Sequence, residues 1–98
     1  MAASRPNESF GVVVERLLDE HDMTMRALAH EIGIDQGYIS RAARTVDYKS
    51  PSVNLMLQVA AYFDIPPESF PEYRLRFVVE RVQGDPALRD RLFESLSD

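Results

Sequence analysis

The segment from residue 36 to residue 44 contains side chains that can hydrogen bond to the edges of nucleic-acid bases. Gln36 can pair with adenine through two hydrogen bonds, and Arg41 and Arg44 can each pair with guanine in the same way. Ser40 offers a shorter and less selective hydroxyl. The segment has no acidic residue, so its charge is +2. Two arginines alone more often form a solvated helix face, so the helices that carry the segment must decide between the two interpretations.

Other chemistry has little support in the sequence. The chain has no cysteine, which excludes disulfides, thiolate metal sites and thiol catalysis. His21 and His30 fall on different predicted helices, and His30-Glu31 lacks the second histidine four residues later that a zinc-binding helix needs. The sequence has no nucleophile elbow and no phosphate-binding glycine loop. We therefore expect a protein that is not an enzyme and that binds neither a metal nor a cofactor.

The length and composition indicate one folded domain. The chain has 98 residues, of which 45% are hydrophobic, a share typical of globular proteins. No apolar run approaches the roughly 20 residues of a membrane helix, and the stretch from Met1 to Ser9 is polar. We therefore expect a cytoplasmic protein that does not interact with a membrane.

The spacing of apolar residues predicts an all-α fold, a compact bundle of five to seven helices. Ser9 is the expected N-cap of the first helix, which should end near His21. Thr24 should cap the second helix, which should end at Ile32. The apolar positions that predict these two helices are Phe10, Val13, Val14, Leu17 and Leu18, followed by Met25, Leu28, Ala29 and Ile32.

A connection of only three residues separates the second helix from the third. Gly33 suits a left-handed residue that ends a helix, and Asp35 suits the N-cap of the next one. Ile34, an apolar residue between them, is expected to pack between the two helices. The predicted third helix runs from about Gln36 to Arg44 and includes Tyr38, Ile39, Ala42, Ala43 and Val46 in its apolar pattern.

Three further helices are predicted after a loop at residues 45–52. Ser52 should cap a fourth helix over residues 53–63, which is apolar on nearly every side and is therefore expected to be central and buried. Pro66 and Pro67 should stop it, and one short turn is predicted at residues 68–70. A fifth helix is predicted over about residues 72–82. Gly84-Asp85-Pro86 should end that helix and begin the last one, with Gly84 as the C′ residue, Asp85 as the N-cap and Pro86 at the first helical position.

Four residues at fixed spacing identify the arrangement of the second and third helices. Ala29, Gly33, Ile34 and Ile39 supply a small residue at the helix contact, a tight turn, and the apolar residues that join the two helices. At these residues the sequence resembles the helix-turn-helix of the Cro and lambda-repressor-like family, the xenobiotic-response-element type. The resemblance extends from about Ser9 to Phe70, roughly two thirds of the chain.

The resemblance implies that the third helix lies in the major groove of duplex DNA. It also implies which residues contact bases and which contact phosphates. Two residues depart from the family pattern: Met25 stands where many members have a glutamine, and Gly37 has no side chain at a usual base-reading position. The implied base contacts are Gln36, Gly37, Ser40, Arg41 and Arg44, and the implied phosphate contacts are Thr24, Arg26, Tyr38, Lys49 and Ser50.

The net charge of −5 argues against nonspecific coating of DNA, because such binding comes from neutralising phosphates. The third helix is nevertheless positive, and the acids of the first helix can point away from DNA. This distribution predicts weak nonspecific binding and a strong dependence on base contacts. The acids concerned are Glu15, Asp19, Glu20 and Asp22.

We expect a flexible N-terminus at residues 1–8, a DNA-binding domain at 9–70 and a C-terminal helical extension at 71–98. The extension either packs back on the first helix to complete the core or forms a two-fold interface, and dimers are the commonest oligomers. The expected function is a transcriptional regulator, a homodimeric repressor that reads a palindromic operator. The alternative is a protein-binding module, such as an antitoxin or adaptor, that holds a protein partner through its C-terminal helices. The expected dimer residues are Tyr73, Phe77, Leu92, Phe93 and Leu96.

Overall fold

A computed structural model of the chain describes residues 7–44 and 51–97. Within these ranges the protein is all-α, with six α-helices, one 3-10 turn at Pro67–Ser69 and no strand, as the sequence predicts. Residues 1–6 of the predicted flexible N-terminus, the predicted helical position Val46, and residues 45–50 of the predicted loop lie outside the described residues. The helices are α1 (Phe10–Glu20), α2 (Met25–Ile32), α3 (Gln36–Arg44), α4 (Val53–Phe63), α5 (Pro71–Gln83) and α6 (Pro86–Leu96).

Five helices begin at a polar residue whose side chain accepts a hydrogen bond from the backbone N–H three residues later. All five N-caps are residues that the sequence predicts, because each bond is local and needs only a short oxygen-bearing side chain. The donor to acceptor distances are 3.4 Å at Ser9, 3.1 Å at Thr24, 3.0 Å at Asp35, 3.1 Å at Ser52 and 3.1 Å at Asp85.

Left-handed residues follow α1, α2 and α4. Gly33 has the positive φ expected of it, 71°, while Asp22 and Asp64 adopt φ values of 54° and 55°. After each of them an apolar residue donates its N–H to the carbonyl five residues back and packs against the core; these residues are Met23, Ile34 and Ile65. Asp64 therefore ends α4 before the prolines that were expected to stop it. Gly84 has a φ of −90° and does not use the left-handed conformation.

The core lies among α1, α2, α3 and α4 and is closed by Phe70. Phe10 and Phe70 are fully buried and meet edge to face, with ring centroids 5.0 Å apart. The expectation that α4 is buried on nearly every side is wrong, because Leu57 and Tyr62 are 42% and 40% exposed. One face of α4 reaches solvent, and the buried face is formed by Leu55, Met56, Val59, Ala60 and Phe63.

The first turns of α5 attach the C-terminal extension to the rest of the fold. The two oxygens of Glu72 accept the N–H of Phe10 at 3.1 and 2.9 Å, so the carboxylate closes the N-terminus of α1. Arg76 donates to the carbonyl of Pro51 at 3.3 Å, and Tyr73 is half-buried against the core. Beyond these contacts α6 packs on α5, and neither helix contains a buried residue.

Candidate nucleic-acid interface

The third helix has one face in the core and the opposite face in solvent. Ile39 and Ala42, at 0% and 2% exposure, seat α3 against α1 and α2. The residues implied to contact bases lie on the remainder of the helix. Gln36, Arg41 and Arg44 are exposed, and Gly37 and Ser40 are half-buried. The fold thus brings these five residues together on one helix, and the opposite face of that helix is packed in the core.

A glycine that sequence reasoning missed sets the distance between α1 and α3. A Cβ atom on Gly11 would stand 1.9 Å from the carbonyl oxygen of Ala43, so the two backbones touch where the helices cross. Only a residue without a side chain permits this approach. The available signal was a glycine inside an otherwise regular amphipathic helix, where it costs about 1 kcal/mol relative to alanine and so calls for a packing reason.

At the start of α3, the carboxylate of Asp35 and the guanidinium of Arg41 both lie close to Gly37. Asp35 caps the helix through its Oδ2 atom, which accepts the N–H of Tyr38 at 3.0 Å. A Cβ atom on Gly37 would lie 2.9 Å from that same Oδ2 atom and 3.1 Å from Nη1 of Arg41. The Arg41 side chain therefore runs back along the helix over Gly37 toward its N-terminus.

A shallow depression separates the end of α3 from the starts of α1 and α2. Ser40 and Arg44 border it on α3, Met25 borders it on α2, and Val12 and Glu15 border it on α1. Glu15, one of the α1 acids expected to point away from DNA, therefore lies beside the end of α3. An acidic side chain at this edge repels a phosphate that comes close to it.

Of the residues implied to contact phosphates, Thr24 and Arg26 lie exposed at the start of α2. The Thr24 oxygen accepts the N–H of Ala27, which leaves the hydroxyl proton for an acceptor outside the helix. Tyr38 donates its hydroxyl proton to Oγ of Ser52 at 2.9 Å and so ties α3 to the N-cap of α4. Lys49 and Ser50 lie outside the described residues.

The outer face of α1 carries ion pairs of its own. Arg16 pairs with Glu8 and, at 3.9 Å, with Glu20. The hydrogen bond to Glu8, together with the charge of that carboxylate, raises the pKa of the Arg16 guanidinium above its ordinary value.

In the part of the chain that the structure describes, no three acidic or histidine side chains are grouped so that they could hold a metal ion. None of the described helices has the length and apolar character needed to span a bilayer.

Comparison with protein families decides what this arrangement is. A family model described as helix-turn-helix matches residues 14–70, which covers α1 from its second turn, both helices of the motif, α4 and Phe70. The chain belongs to this family. It is a helix-turn-helix protein of the xenobiotic-response-element, lambda-repressor-like type, and members of the family are DNA-binding transcription regulators, not enzymes.

The match fixes the function at the level of the helix-turn-helix family. It supports DNA binding and transcription regulation of the xenobiotic-response-element type, and α2 and α3 are the two helices of the motif. The searches of curated proteins and of solved structures gave no match. No relative therefore identifies the individual base contacts, and these are inferred from the geometry of α3.

Proposed function

We propose that this helix-turn-helix protein is a homodimeric repressor that reads a palindromic operator through the outer face of α3. The exposed face of α3 carries the proposal. It presents Gln36, Arg41 and Arg44 to solvent, has no acid between residues 36 and 44, and belongs to a helix whose other face is held in the core. A rigid helix of this kind presents its donors in one fixed arrangement, which suits the major groove.

The three exposed side chains on α3 have different roles in the proposed reading. In this proposal Gln36, at the start of the helix, pairs with adenine, and Arg41, about one turn further along, pairs with guanine. Arg44 lies at the end of the helix beside the depression and reaches either a base or a phosphate. Thr24 and Arg26 at the start of α2 are proposed to contact the DNA backbone, and such contacts set register without reading sequence.

The dimer is proposed from the apolar surface of α5 and α6. Phe77 and Phe93 are 54% and 66% exposed, and Leu96 is 83% exposed. Tyr73 is half-buried against the core, so the interface depends mainly on the other expected residues. Residues 71–97 contain five arginines and five acids, so two copies of the extension meet without net repulsion. The exposed apolar residues are Leu75, Phe77, Val78, Leu92, Phe93 and Leu96.

Repression follows from the proposed dimer in a simple way. Two α3 helices related by a two-fold axis read half-sites about 34–36 Å apart, one turn of DNA. A dimer bound to such a site excludes other proteins from it. If the apolar surface instead holds a different protein, the function becomes that of an antitoxin or adaptor that uses the same DNA-binding domain.

Selection from a random library of duplexes tests the DNA-binding proposal. The purified protein is expected to enrich a palindrome at about 0.15 M salt, where surface charges are substantially screened. Arg41→Ala should weaken binding to the selected site by about 1–3 kcal/mol and relax one base position in each half-site, because a bidentate arginine discriminates among bases. Binding constants are measured by fluorescence anisotropy on the selected site and on variants of it.

Arg91→Ala is the matched control for this selection, because Arg91 is an exposed arginine of α6, remote from α3. It should leave the selected sequence unchanged. A wild-type protein that enriches no sequence would contradict the proposal of a sequence-specific regulator. Equal effects of Arg41→Ala and Arg91→Ala would contradict the role of Arg41 in base reading.

A further inference from the structure

Two residues near the start of α5, Glu72 and Arg76, bind the C-terminal extension to the rest of the fold. They are four positions apart, so they lie on one face of the helix. Glu72 accepts the N–H of Phe10 at 3.1 and 2.9 Å, and Arg76 donates to the carbonyl of Pro51 at 3.3 Å. Since neither α5 nor α6 contains a buried residue, the direction of the extension depends on few contacts, and these are two of them.

The bond from Glu72 leads to the end of α3. Its donor is the backbone of Phe10, and the next residue, Gly11, lies so close to α3 that a Cβ would stand 1.9 Å from the carbonyl oxygen of Ala43. Phe10 is fully buried and meets Phe70, the residue before α5, edge to face. A shift of α5 at this point must therefore move α1 or break the bond, and α1 is in backbone contact with α3.

The bond from Arg76 leads to the start of α3. Its acceptor, Pro51, is fully buried and directly precedes Ser52, the N-cap of α4. Oγ of Ser52 accepts the hydroxyl proton of Tyr38, in the first turn of α3, at 2.9 Å. Through one neighbouring residue each, the two bonds of α5 thus lead to opposite ends of the same helix. Contacts at two separated points fix the direction of a helix as well as its position.

We propose that Glu72 and Arg76 fix the angle between α3 and the proposed dimer surface, and thereby set the distance between half-sites that the dimer accepts. This inference rests on the proposed function, in which α3 reads DNA and the extension pairs with a second copy. Each inserted base pair moves the half-sites about 3.4 Å apart and turns one relative to the other by about a tenth of a helical turn. Helices held at a fixed angle cannot follow both changes. Glu72 and Arg76 are thus positioning residues, which act on DNA binding without contacting a base.

The test compares the wild type with Glu72→Ala/Arg76→Ala on the selected palindrome and on versions with one or two base pairs inserted at its centre. Simultaneous engagement of two sites strengthens binding by about 10²–10⁴-fold, and this gain is lost when the geometry forbids it. We expect the wild type to bind the longer insertion about 100-fold more weakly than the selected site, as measured by fluorescence anisotropy. In the double variant this spacing ratio should fall below about tenfold, while the base preferences within each half-site persist.

Two variants of Glu72 alone make the test independent of the double variant. Glu72→Ala keeps the bond from Arg76 and should give a spacing ratio between those of the wild type and the double variant. Glu72→Gln keeps an acceptor oxygen for the N–H of Phe10 and should restore a ratio close to that of the wild type.

Two controls separate the loss of these bonds from a loss of charge or of stability. Glu80→Ala/Arg91→Ala removes one acid and one arginine from exposed positions of the extension. Ala61→Gly places a poor helix former at an exposed position of α4, and so lowers stability without removing either bond. Both controls should keep the wild-type spacing ratio. Light scattering of each protein shows whether it is still a dimer.

The outcomes that would overturn the inference differ from those that would overturn the proposed function. A wild-type spacing ratio in Glu72→Ala and in the double variant would overturn the inference alone. So would a double variant that has the mass of one chain or has lost its base preferences, because the two residues would then support pairing or α3 itself. If the wild type selects no palindrome, the proposed function and this inference fail together.

Discussion

At Gly11 the backbones of α1 and α3 come so close that a single added methyl group would change the position of α3 relative to α1. Replacing an interior helical glycine by alanine ordinarily stabilises a helix by roughly 0.5–1 kcal/mol. At Gly11 the new Cβ would lie 1.9 Å from the carbonyl oxygen of Ala43, a backbone atom that cannot rotate away. The two helices must therefore separate, and the exposed face of α3 shifts as they do.

We expect Gly11→Ala to lower the free energy of unfolding by about 1–3 kcal/mol, the usual cost of overpacking a core. Thermal denaturation followed by circular dichroism measures the change, with Gly84→Ala as the control because its added methyl meets no close atom. The control should melt at the wild-type temperature or slightly above it. A Gly11→Ala protein as stable as the control would show that the close approach of α1 and α3 is not required.

Single residues differ in how far the sequence alone reveals their role. Gln36 and Arg41 could be predicted to face outward, because their types and their place in the third helix are both local facts. Gly11 could not be assigned a role, since the atom that excludes a side chain belongs to Ala43, 32 residues away. The same holds for Tyr38, where the sequence suggests a phosphate contact and the hydroxyl donates to Ser52.

At the scale of the helices, the side chains that start them were more predictable than the backbone conformations that end them. An N-cap such as Ser9 or Asp35 needs a suitable side chain and a backbone N–H three residues away, so the whole device is visible in the sequence. The ends at Asp22 and Asp64 depend on a left-handed backbone, which aspartate adopts less readily than glycine does. These ends were stabilised by the following apolar residue, and that residue packs on parts of the core distant in sequence.

The N-terminus of α1 is closed by Glu72 of α5, which lies 62 residues after Phe10 in the chain. Glu72 accepts the N–H of Phe10 with both oxygens, at 3.1 and 2.9 Å. We expect Glu72→Ala to lower the free energy of unfolding by about 1–2 kcal/mol, because a charged acceptor at a helix N-terminus is lost and a half-buried N–H is left without its partner. Urea denaturation measures the change.

Glu80→Ala is the control for Glu72→Ala, since Glu80 is an exposed glutamate on the same helix. It should change stability by less than about 0.5 kcal/mol, as surface substitutions usually do. Equal losses for the two variants would mean that α5 needs its acidic residues for its own stability and not for closing α1.

At the scale of the whole molecule, the sequence does not determine whether the C-terminal helices pack on the core of the same chain or on another chain. The apolar spacing of α5 and α6 is the same whether those residues complete a core or face a second chain. In the structure Tyr73 packs against the core, whereas Phe77, Phe93 and Leu96 are exposed. An apolar surface of this kind on a small protein typically marks an interaction site.

We expect the wild-type protein to have twice the mass of one chain in multi-angle light scattering, and Phe93→Glu/Leu96→Glu to have the mass of one chain. Two carboxylates in an apolar contact would have to be desolvated without a partner, which is unfavourable. Both residues are more than half exposed, so the variant should keep the wild-type helix content. Leu57→Glu, which adds a charge on the exposed face of α4, should remain a dimer. A wild-type mass of one chain at every concentration would contradict the proposed dimer.

The bonds from Glu72 to Phe10 and from Arg76 to Pro51 also bear on how this protein can be recombined with others. The family match ends at residue 70, immediately before α5. A segment transplanted at that boundary would leave behind the carboxylate that closes α1 and the guanidinium that binds Pro51. The smallest exchangeable module therefore extends through the first turns of α5, the helix that carries part of the proposed dimer surface. Changes of DNA specificity by domain exchange would consequently transfer part of that proposed surface as well, so that the two properties would be inherited together.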